Sequence, residues 1–505
     1  MKEPMMLIRR IFLLALMPFV GNLLFASGAV AAEAVAGRLF VGGATISITP
    51  DERVALAGQM RTRISTKVEA PCLATALAIE TRNGDQSLDQ AVFVSCDLVA
   101  LRPEDLFDLV RNQVQGRVPD SLLNKIVMNA THTHTGPVTQ SGTYEIPESG
   151  VMHPDAYLEF LVHQLGDAIV QAWDKREAAS VAWGLGEAVV AHNRRAVYAN
   201  GTSVMYGNSN TPNFRGIEGA EDHGVELLYF WNTEGKLIAT SINVACPSQE
   251  AEHRSTINAD FWHPVRETLK KTHGDQLHIL TWTGAAGDQS PHLIYRKEAE
   301  SRMRNLRGID SLNEIARRIV NTWEDVYQLV QQDQHEELVF EHQVKAVQLP
   351  FRKITALEAS AAKRSAEALA DSKAANAFVT RKWHQRTVDR FEQQQAGESP
   401  TFPVNLHVIR LGDVAIATNP FELFTDYGVQ IKSRSPALQT FIIQLSQGSG
   451  GYLATERAVA GGGYSAIPQS GAVGPEGGQM LVEESVQLIR SLWPSPEKVS
   501  QKINP

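Results

Sequence analysis

Two histidines separated by one residue follow a short apolar run, and this spacing is suited to metal or proton chemistry. His132 and His134 come after the apolar residues 126–128 and before a turn signal at residues 136–137. If the run is a buried strand, residues i and i+2 face the same side, so the two imidazoles would address one site. Imidazole is a common zinc ligand, and a carboxylate can complete a mixed ligand set. An exposed edge strand is the alternative explanation.

Other apolar runs also end in polar residues that could join this site. Residues 279–282 lead into Gly-Ala-Ala-Gly and then Ser290, and another run leads to Glu422 at a predicted helix start. Loops at strand ends usually carry the sites of α/β proteins, so Glu422 is the candidate carboxylate. Ser290 lacks the G-x-S-x-G pattern, so an ordinary serine-hydrolase triad is not indicated. Asp97 either orients the histidines or caps a helix.

The elements that must position these residues alternate along the chain. Strand-like apolar runs are separated by segments of helical periodicity, of which the clearest are residues 103–117 and 154–173. This alternation predicts an α/β fold with a mixed, partly parallel sheet flanked by helices. Residues 354–396 contain no Pro or Gly and are rich in Ala, Glu, Lys and Arg, which predicts an inserted helical hairpin.

Composition excludes several classes of protein. The chain has 505 residues, 43% of them hydrophobic, and a net charge of −9, which disfavours a nucleic-acid partner because phosphate binding needs a basic surface. Three cysteines are too few for a disulfide framework, so we expect buried, reduced thiols. The chain is long enough to bury a large core without such bridges.

The first 31 residues have the order of an export signal. Arg9-Arg10 precede a long apolar stretch, and Ala29-Val30-Ala31 forms a small-residue cleavage site. We therefore expect a signal peptide at residues 1–31 and an exported protein, periplasmic or secreted, with an uncleaved membrane anchor as the alternative. No integral membrane span is expected after the signal is removed.

Three motifs resemble those of the neutral/alkaline (non-lysosomal) ceramidase family. In chain order they read NATHTHTGP, GAAGDQSP and NPFELFTDYG, with further similarity in ISITPDERVALAGQ, HNRRA and GGYLATERAVAGGGY. The resemblance covers residues 38–495 and implies the family's catalytic domain. It also implies hydrolysis of the amide bond between a fatty acid and a sphingoid base, hence a lipid or other small-molecule substrate. Zinc held by two histidines, a glutamate and a tyrosine is the implied cofactor.

The resemblance assigns roles to individual residues. It makes His132 and Glu422 zinc ligands and places His134 to hydrogen-bond the reacting carbonyl. It makes Ser290 the nucleophile or the group that positions the attacking water, and Arg194 the residue that polarises the amide carbonyl. Independently of the family, Tyr464 lies in a Gly-rich loop, where it either closes over a substrate or packs against the protein.

The remaining ligands of the implied zinc site do not transfer. The segment expected to hold the second histidine reads Cys-Pro-Ser-Gln and ends at Gln249, which becomes the candidate third ligand, with His253 as an alternative. The position of the tyrosine ligand aligns with Ser449, whereas Tyr452 matches the family's next tyrosine. Members of the family also carry a C-terminal immunoglobulin-like domain, which we do not expect in this chain.

Three functions are therefore compatible with the sequence. The first is an exported, metal-dependent amide hydrolase of the neutral ceramidase type. The second is a deacylase that acts on an N-acyl or O-acyl carbohydrate or on another small amide. The third is a binding protein that keeps the fold without catalysis. The replaced ligands motivate the second and third alternatives, and the sequence leaves the oligomeric state open.

Overall fold

The computed structural model describes residues 35–493, and the predicted signal peptide lies outside them. These residues form twenty strands and eleven helices. The strands are β1 (Gly37–Ser47), β2 (Leu73–Asn83), β3 (Gln86–Cys96), β4 (Ile126–Ala130), β5 (Glu177–Glu187), β6 (His192–Asn193), β7 (Arg195–Tyr198), β8 (Ser203–Met205), β9 (Phe214–Ile217), β10 (Gly224–Asn232), β11 (Leu237–Val244), β12 (His278–Thr283), β13 (Gln289–Ser290), β14 (Glu337–Leu338), β15 (Phe340–Pro350), β16 (Thr401–Leu411), β17 (Val414–Thr418), β18 (Glu422–Leu423), β19 (Gln439–Ile443) and β20 (Tyr452–Leu453).

The helices follow the apolar periodicity of the sequence. Pro154 begins the longest of them, as suits a residue that lacks an N–H group, and Tyr157, Leu161 and Leu165 form its buried face. The helices are α1 (Leu106–Val114), α2 (Asp120–Leu123), α3 (Pro154–Asp174), α4 (Trp262–His273), α5 (Lys297–Arg307), α6 (Ser311–Val330), α7 (Ala356–Ala368), α8 (Ala377–Gln395), α9 (Thr425–Arg434), α10 (Glu456–Gly461) and α11 (Pro475–Ser491).

Two sheets form the centre of the fold. Eight strands of the larger sheet follow the order β12-β11-β10-β5-β1-β2-β3-β4, and β14 pairs beside β1 as its ninth strand. The smaller sheet has the order β15-β16-β17-β19. Most neighbours are antiparallel, but β4 pairs in parallel with β3, and β12 pairs in parallel with β11. The predicted mixed sheet is thus confirmed, with its parallel pairs at the two ends of the larger sheet.

The main core lies between the two sheets. Phe93 on β3 contacts Trp282 on β12 with 5.3 Å between ring centroids, and Trp282 contacts Phe441 on β19 at 6.0 Å. Ser95 Oγ on β3 also donates a hydrogen bond to the Thr281 carbonyl on β12, at 2.6 Å. The larger sheet therefore bends so that its two ends meet. This bend brings the loops after β4 and β12 towards each other.

Helices cover the outer faces of the sheets, which confirms the predicted α/β class. Helices α1 and α3 pack on the strands β1–β4, α4 and α6 pack on β10 and β11, and α9 and α11 pack on the smaller sheet. The predicted hairpin is formed by α7 and α8. Helix α7 begins with a capping box between Thr355 and Glu358, which explains why it starts there. Within residues 35–493, no helix is both long and apolar enough to cross a bilayer.

Buried neutral histidines should make this fold sensitive to acid. Burial lowers the pKa of His278 to about 4 and that of His407 to about 3. The unfolded chain, in which a histidine has a pKa of about 6.5, therefore binds protons more readily, and stability is lost as pH falls from 6.5 towards 4. Between pH 7 and pH 5 we expect each histidine to lower the free energy of unfolding by about 2 kcal/mol. Urea unfolding curves at the two pH values measure this loss.

The variant His278→Gln is the control for this effect, because glutamine does not titrate and can still hydrogen-bond Thr45. Its stability should fall less than that of the wild type over the same pH interval. An equal fall in both proteins would contradict the assignment.

Candidate active site

The loop after β4 places the two histidines in one spot. Strand β4 ends at Ala130, so His132 and His134 lie beyond it, and His132 has a positive φ of 66°. Their Nε2 atoms are 3.3 Å apart. The two rings converge because of this loop conformation. The alternation of side chains along a strand, which the sequence suggested as the cause, does not apply, because both histidines lie beyond the strand. A strained φ at a non-glycine residue is typical of functional loops.

The threonines of this loop anchor it from the opposite side. Thr133 and Thr135 each donate a side-chain hydrogen bond to the Asn258 carbonyl, at 2.8 and 2.7 Å, and both are fully buried. Thr131 donates to Asp97 at 3.3 Å. In this Thr-His-Thr-His-Thr segment the threonine hydroxyls therefore anchor the loop, and the two histidine rings are left to meet each other.

His132 is held between a backbone carbonyl and a carboxylate. Its Nδ1 lies 2.6 Å from the Val99 carbonyl oxygen, which can only accept, so Nδ1 carries a hydrogen. Its Nε2 faces Glu422 Oε2 at 3.3 Å. Burial would raise the pKa of Glu422, but His132, a hydrogen bond from Tyr452 and the charge of Arg194 lower it to about 2. Glu422 is therefore ionised at neutral pH.

His134 is held between a second carboxylate and an amide. Its Nδ1 faces Glu252 Oε2 at 3.2 Å, and its Nε2 lies 2.9 Å from Gln249 Nε2. Burial lowers the pKa of His134 to about 4. Burial would raise the pKa of Glu252, but its hydrogen bond with His134 lowers it to about 2. His134 is thus neutral, with a hydrogen on Nδ1 towards Glu252 and a lone pair on Nε2. Gly58 makes room for it, because a Cβ at Gly58 would lie 2.3 Å from His134 Cγ.

Glu422 reaches the site through a short parallel strand pair. It begins β18, where it pairs with Tyr452 at the start of β20. The Gly-Ala-Ala-Gly segment allows this approach, since a Cβ at Gly287 would lie 2.3 Å from the Glu422 carbonyl oxygen. Arg194 donates to the Gly287 carbonyl at 2.8 Å and to the Tyr452 hydroxyl at 3.0 Å. Backbone contacts and the Arg194 guanidinium therefore join the segments that carry Gly287, Glu422 and Tyr452.

A cavity of about 880 Å³ opens onto this cluster. His132, His134 and Glu422 line it together with Tyr452 and Tyr464. The Tyr464 ring lies 5.5 Å from that of Tyr452 and 5.9 Å from that of Trp383 on α8. The cavity thus has a polar floor and an aromatic side, which suits a substrate with one polar and one apolar part.

Three other residues singled out from the sequence do not line this cavity. Ser290 is fully buried on β13, where its Oγ accepts a hydrogen bond from the His292 amide at 3.0 Å. Arg194 and Gln249 are also buried, and neither borders the cavity. His253, the alternative to Gln249, has a side chain that is 76% exposed. The structure brings His132, His134, Glu422 and Tyr464 to the cavity. Gln249 contacts His134 and Arg194 contacts Tyr452, but neither of them nor Ser290 borders the cavity itself.

The described residues do not fit the zinc site that the ceramidase resemblance implies. Within residues 35–493, no group of three or more His, Cys, Asp and Glu side chains is arranged to hold a metal ion. Gln249 contacts His134 with its side-chain amide, and an amide is not one of the usual protein ligands of zinc. Ser449 Oγ accepts hydrogen bonds from Arg102 Nε and Nη2 at 3.0 and 2.8 Å, so a positive charge lies beside the fourth ligand position. Only His132 and Glu422 remain of the implied set.

This donor set predicts weak zinc binding. Protein incubated with zinc chloride and then gel-filtered should retain well below one equivalent of zinc, as measured by elemental analysis. The double variant Gln249→His/Ser449→Tyr should retain close to one equivalent, because it restores the four ligand types and Ser449 borders open cavity space. Stoichiometric zinc in the wild type would contradict this assignment of the donor set.

Two residues of the site were missed by sequence reasoning. Glu252 lies three residues after Gln249 in the same polar segment. The signal that could have identified it is a carboxylate next to His253, in the segment expected to supply a ligand. Arg102 lines the cavity from the loop that follows β3, and no sequence motif marks it. Both residues act on partners that are distant in the sequence, Glu252 on His134 and Arg102 on Ser449.

Comparisons with known proteins support the fold. No family model matches the sequence, and no curated protein matches it either. Among solved structures, a neutral ceramidase from Pseudomonas aeruginosa has a TM-score of 0.65 and 17% sequence identity, over 91% of this chain and 76% of that one. A ceramidase complexed with C2 has a TM-score of 0.63 and 16% identity over the same shares. Residues 35–493 therefore share the fold of these two ceramidase structures.

Proposed function

We propose that this protein is a hydrolase that cleaves the amide bond of an N-acyl lipid or a related acyl amide. The observation that carries the proposal is the convergence of His132, His134 and Glu422 at the floor of the cavity. The ceramidase-like fold makes amide hydrolysis the first chemistry to consider. The aromatic side of the cavity, which includes Tyr464, would receive the acyl chain.

His134 is the proposed general base. Its neutral ring keeps a lone pair on Nε2, and this atom could take a proton from a water molecule that attacks the carbonyl carbon. Glu252 at Nδ1 would orient the ring and stabilise the imidazolium, as carboxylates do in other histidine dyads. Gln249 hydrogen-bonds Nε2 in the resting site, and the attacking water would take its place. Once the C–N bond breaks, His134 would return the proton to the leaving amine.

His132 and Glu422 are the proposed electrostatic partners of this step. His132 would help to fix Glu422 at the cavity floor, where its Nε2 lies 3.3 Å from the carboxylate. The Tyr452 hydroxyl is held by Arg194 and faces the same cavity, so it is the candidate donor to the oxyanion that forms on the substrate. Arg194 would then position Tyr452 without contacting the substrate itself.

Ser290 has a structural role in this proposal. Its hydroxyl is buried in a short strand pair with β6 and does not border the cavity. We expect Ser290→Ala to retain most of the wild-type turnover. A loss as large as that of a base variant would instead favour Ser290 as the nucleophile.

We also propose that the protein is exported, on the basis of the signal pattern at residues 1–31. Fractionation of cells that produce the full chain tests this part. A processed protein outside the cytoplasm is the expected result, and an unprocessed cytoplasmic protein would contradict it.

The activity itself is tested with purified protein and a panel of N-acyl amides, including ceramide, followed by release of free fatty acid. We expect hydrolysis of at least one acyl amide, and its loss in His134→Ala. Absence of hydrolysis across amides of different head groups and chain lengths would overturn the proposed function.

A further inference from the structure

A group of arginines lies along the same cavity, and two of them share the face of α8 that carries Trp383. Arg386 and Arg390 are one helical turn apart on α8, so they project from the same face of the inserted hairpin. Both line the cavity, and Arg102 lines it from the loop after β3. Arg102 and Arg390 are half-buried and Arg386 is exposed. With Arg111 on α1, four guanidinium groups therefore border one space.

Two of these guanidinium groups hydrogen-bond neutral acceptors. Arg102 donates to the Ser449 hydroxyl, and Arg390 donates to the carbonyls of Gly471 and Pro468. Within residues 35–493, none of Arg102, Arg386 and Arg390 has a carboxylate within ion-pair distance. Their charges are therefore not neutralised by the protein.

Neighbouring arginines behave differently. Arg111 pairs with Asp108 at 2.9 Å, and Arg352 pairs with Glu358 at 2.8 Å. Arg111 also lines the cavity, so the absence of an ion-pair partner among the described residues is particular to Arg102, Arg386 and Arg390. A cation left without an ion-pair partner beside an open cavity is a common feature of anion recognition.

The like charges are close enough to disfavour one another. Burial and then the charge of Arg386 lower the pKa of Arg102. Burial, followed by the charges of Arg352 and Arg386, lowers the pKa of Arg390 to about 10. An anion bound among these groups would offset the repulsion between the arginines, so this arrangement favours binding of an anion.

The acidic residues that border the cavity do not cancel this charge. Asp108 is paired with Arg111, Asp389 accepts a hydrogen bond from Gln385, and Glu422 is paired with His132. Glu104 is exposed in the loop after Arg102. Five Lys and Arg side chains and four Asp and Glu side chains border the cavity, so the formal charge of its lining is positive by one with the histidines neutral.

We infer that the cavity recognises an anionic oxygen group, a carboxylate or a phosphate, on the head of its acyl amide substrate, through Arg102, Arg386 and Arg390. Arg102 stands next to the reacting groups, since it holds Ser449 in the loop that leads to Tyr452, the partner of Glu422. An anionic head at the arginines would thus lie beside the amide, with the acyl chain along the aromatic side. This inference rests on the proposed function for the same site.

The test measures binding with analogues that cannot be hydrolysed. Dodecylsulfonyl-glycine, dodecylsulfonyl-phosphoethanolamine and the neutral methyl ester of the glycine compound share one alkyl chain and differ in the head. By isothermal titration calorimetry, we expect at least one anionic analogue to bind roughly tenfold tighter than the ester, with the preference shrinking at high salt. The tighter of the two anions identifies the recognised group. Equal affinities for the three analogues would overturn the inference.

Two variants link the preference to the arginines. Arg386→Gln should remove most of the preference while the protein still folds, because this side chain is exposed and makes no ion pair with the described residues. Arg381→Gln on the same helix is the matched control, since Arg381 is exposed and does not line the cavity. A preference that survives Arg386→Gln unchanged would also overturn the inference.

The binding test is separate from the test of activity. If no acyl amide is hydrolysed but the anionic analogue binds in an Arg386-dependent way, the proposed hydrolysis fails and the recognition stands. If amides are hydrolysed but the three analogues bind equally, the hydrolase stands and the recognition fails.

Discussion

Replacing His134 by alanine lowers the turnover of an N-acyl amide by about three orders of magnitude if the ring is the general base, which is within the usual range for such groups. The variant removes the Nε2 lone pair at the cavity floor and leaves Glu252 without its imidazole partner. Initial rates of fatty-acid release, measured under saturating substrate, report this loss in kcat.

Glu252→Gln should lower kcat by about two orders of magnitude with little change in KM, because Glu252 is a positioning residue that acts through His134. The glutamine keeps a polar partner at Nδ1 but removes the charge that stabilises the imidazolium. His163→Ala is the matched control, since this histidine is exposed and bonds Gln113 away from the cavity. Wild-type turnover in the His134→Ala variant would show that His134 is not the general base.

Replacing Asp97 by alanine should lower the free energy of unfolding by about 3–5 kcal/mol, the usual cost of removing one partner of a buried ion pair. Asp97 is fully buried and meets Arg266 through two contacts of 2.6 and 3.0 Å. It also accepts from the Leu73 amide and the Thr131 hydroxyl. The change would leave the Arg266 charge buried without a partner. Urea denaturation followed by circular dichroism measures the loss.

Two variants show whether this cost comes from the unpaired charge. The double change Asp97→Leu/Arg266→Met should be less destabilising than Asp97→Ala alone, because neither charge is then left buried. Asp108→Ala, which breaks the exposed pair with Arg111, should cost less than about 1 kcal/mol. If Asp97→Ala were as mild as Asp108→Ala, the buried pair would not be a major contributor to stability.

Asp97 also shows how the site depends on the fold. The sequence is compatible with a helix cap or a neighbour of the histidines at this position, and the structure gives Asp97 a third role. It joins β3 to α4 through Arg266, and through Thr131 it reaches the loop that carries His132. We therefore expect its loss to disturb the site as well as the core.

The sequence by itself determined the local elements, and it supplied several candidates for the site. Apolar periodicity and Pro154 predicted α3, and the composition of residues 354–396 predicted the hairpin formed by α7 and α8. The motifs around His132, His134 and Glu422 also marked these residues as candidates. Such signals are local, because the period of a helix, the residues of a turn and the end of a strand are each determined by residues that are close in the sequence.

Only the tertiary structure decided how these pieces meet. It placed Glu252 against His134 and Arg102 against Ser449, and it left Ser290 behind the cavity wall. The reason is that burial, charge and the distance between loops depend on how the sheet bends and which strand ends it brings together. A pattern of neighbouring residues carries no information about these long-range contacts, and the electrostatics of the site follow from them.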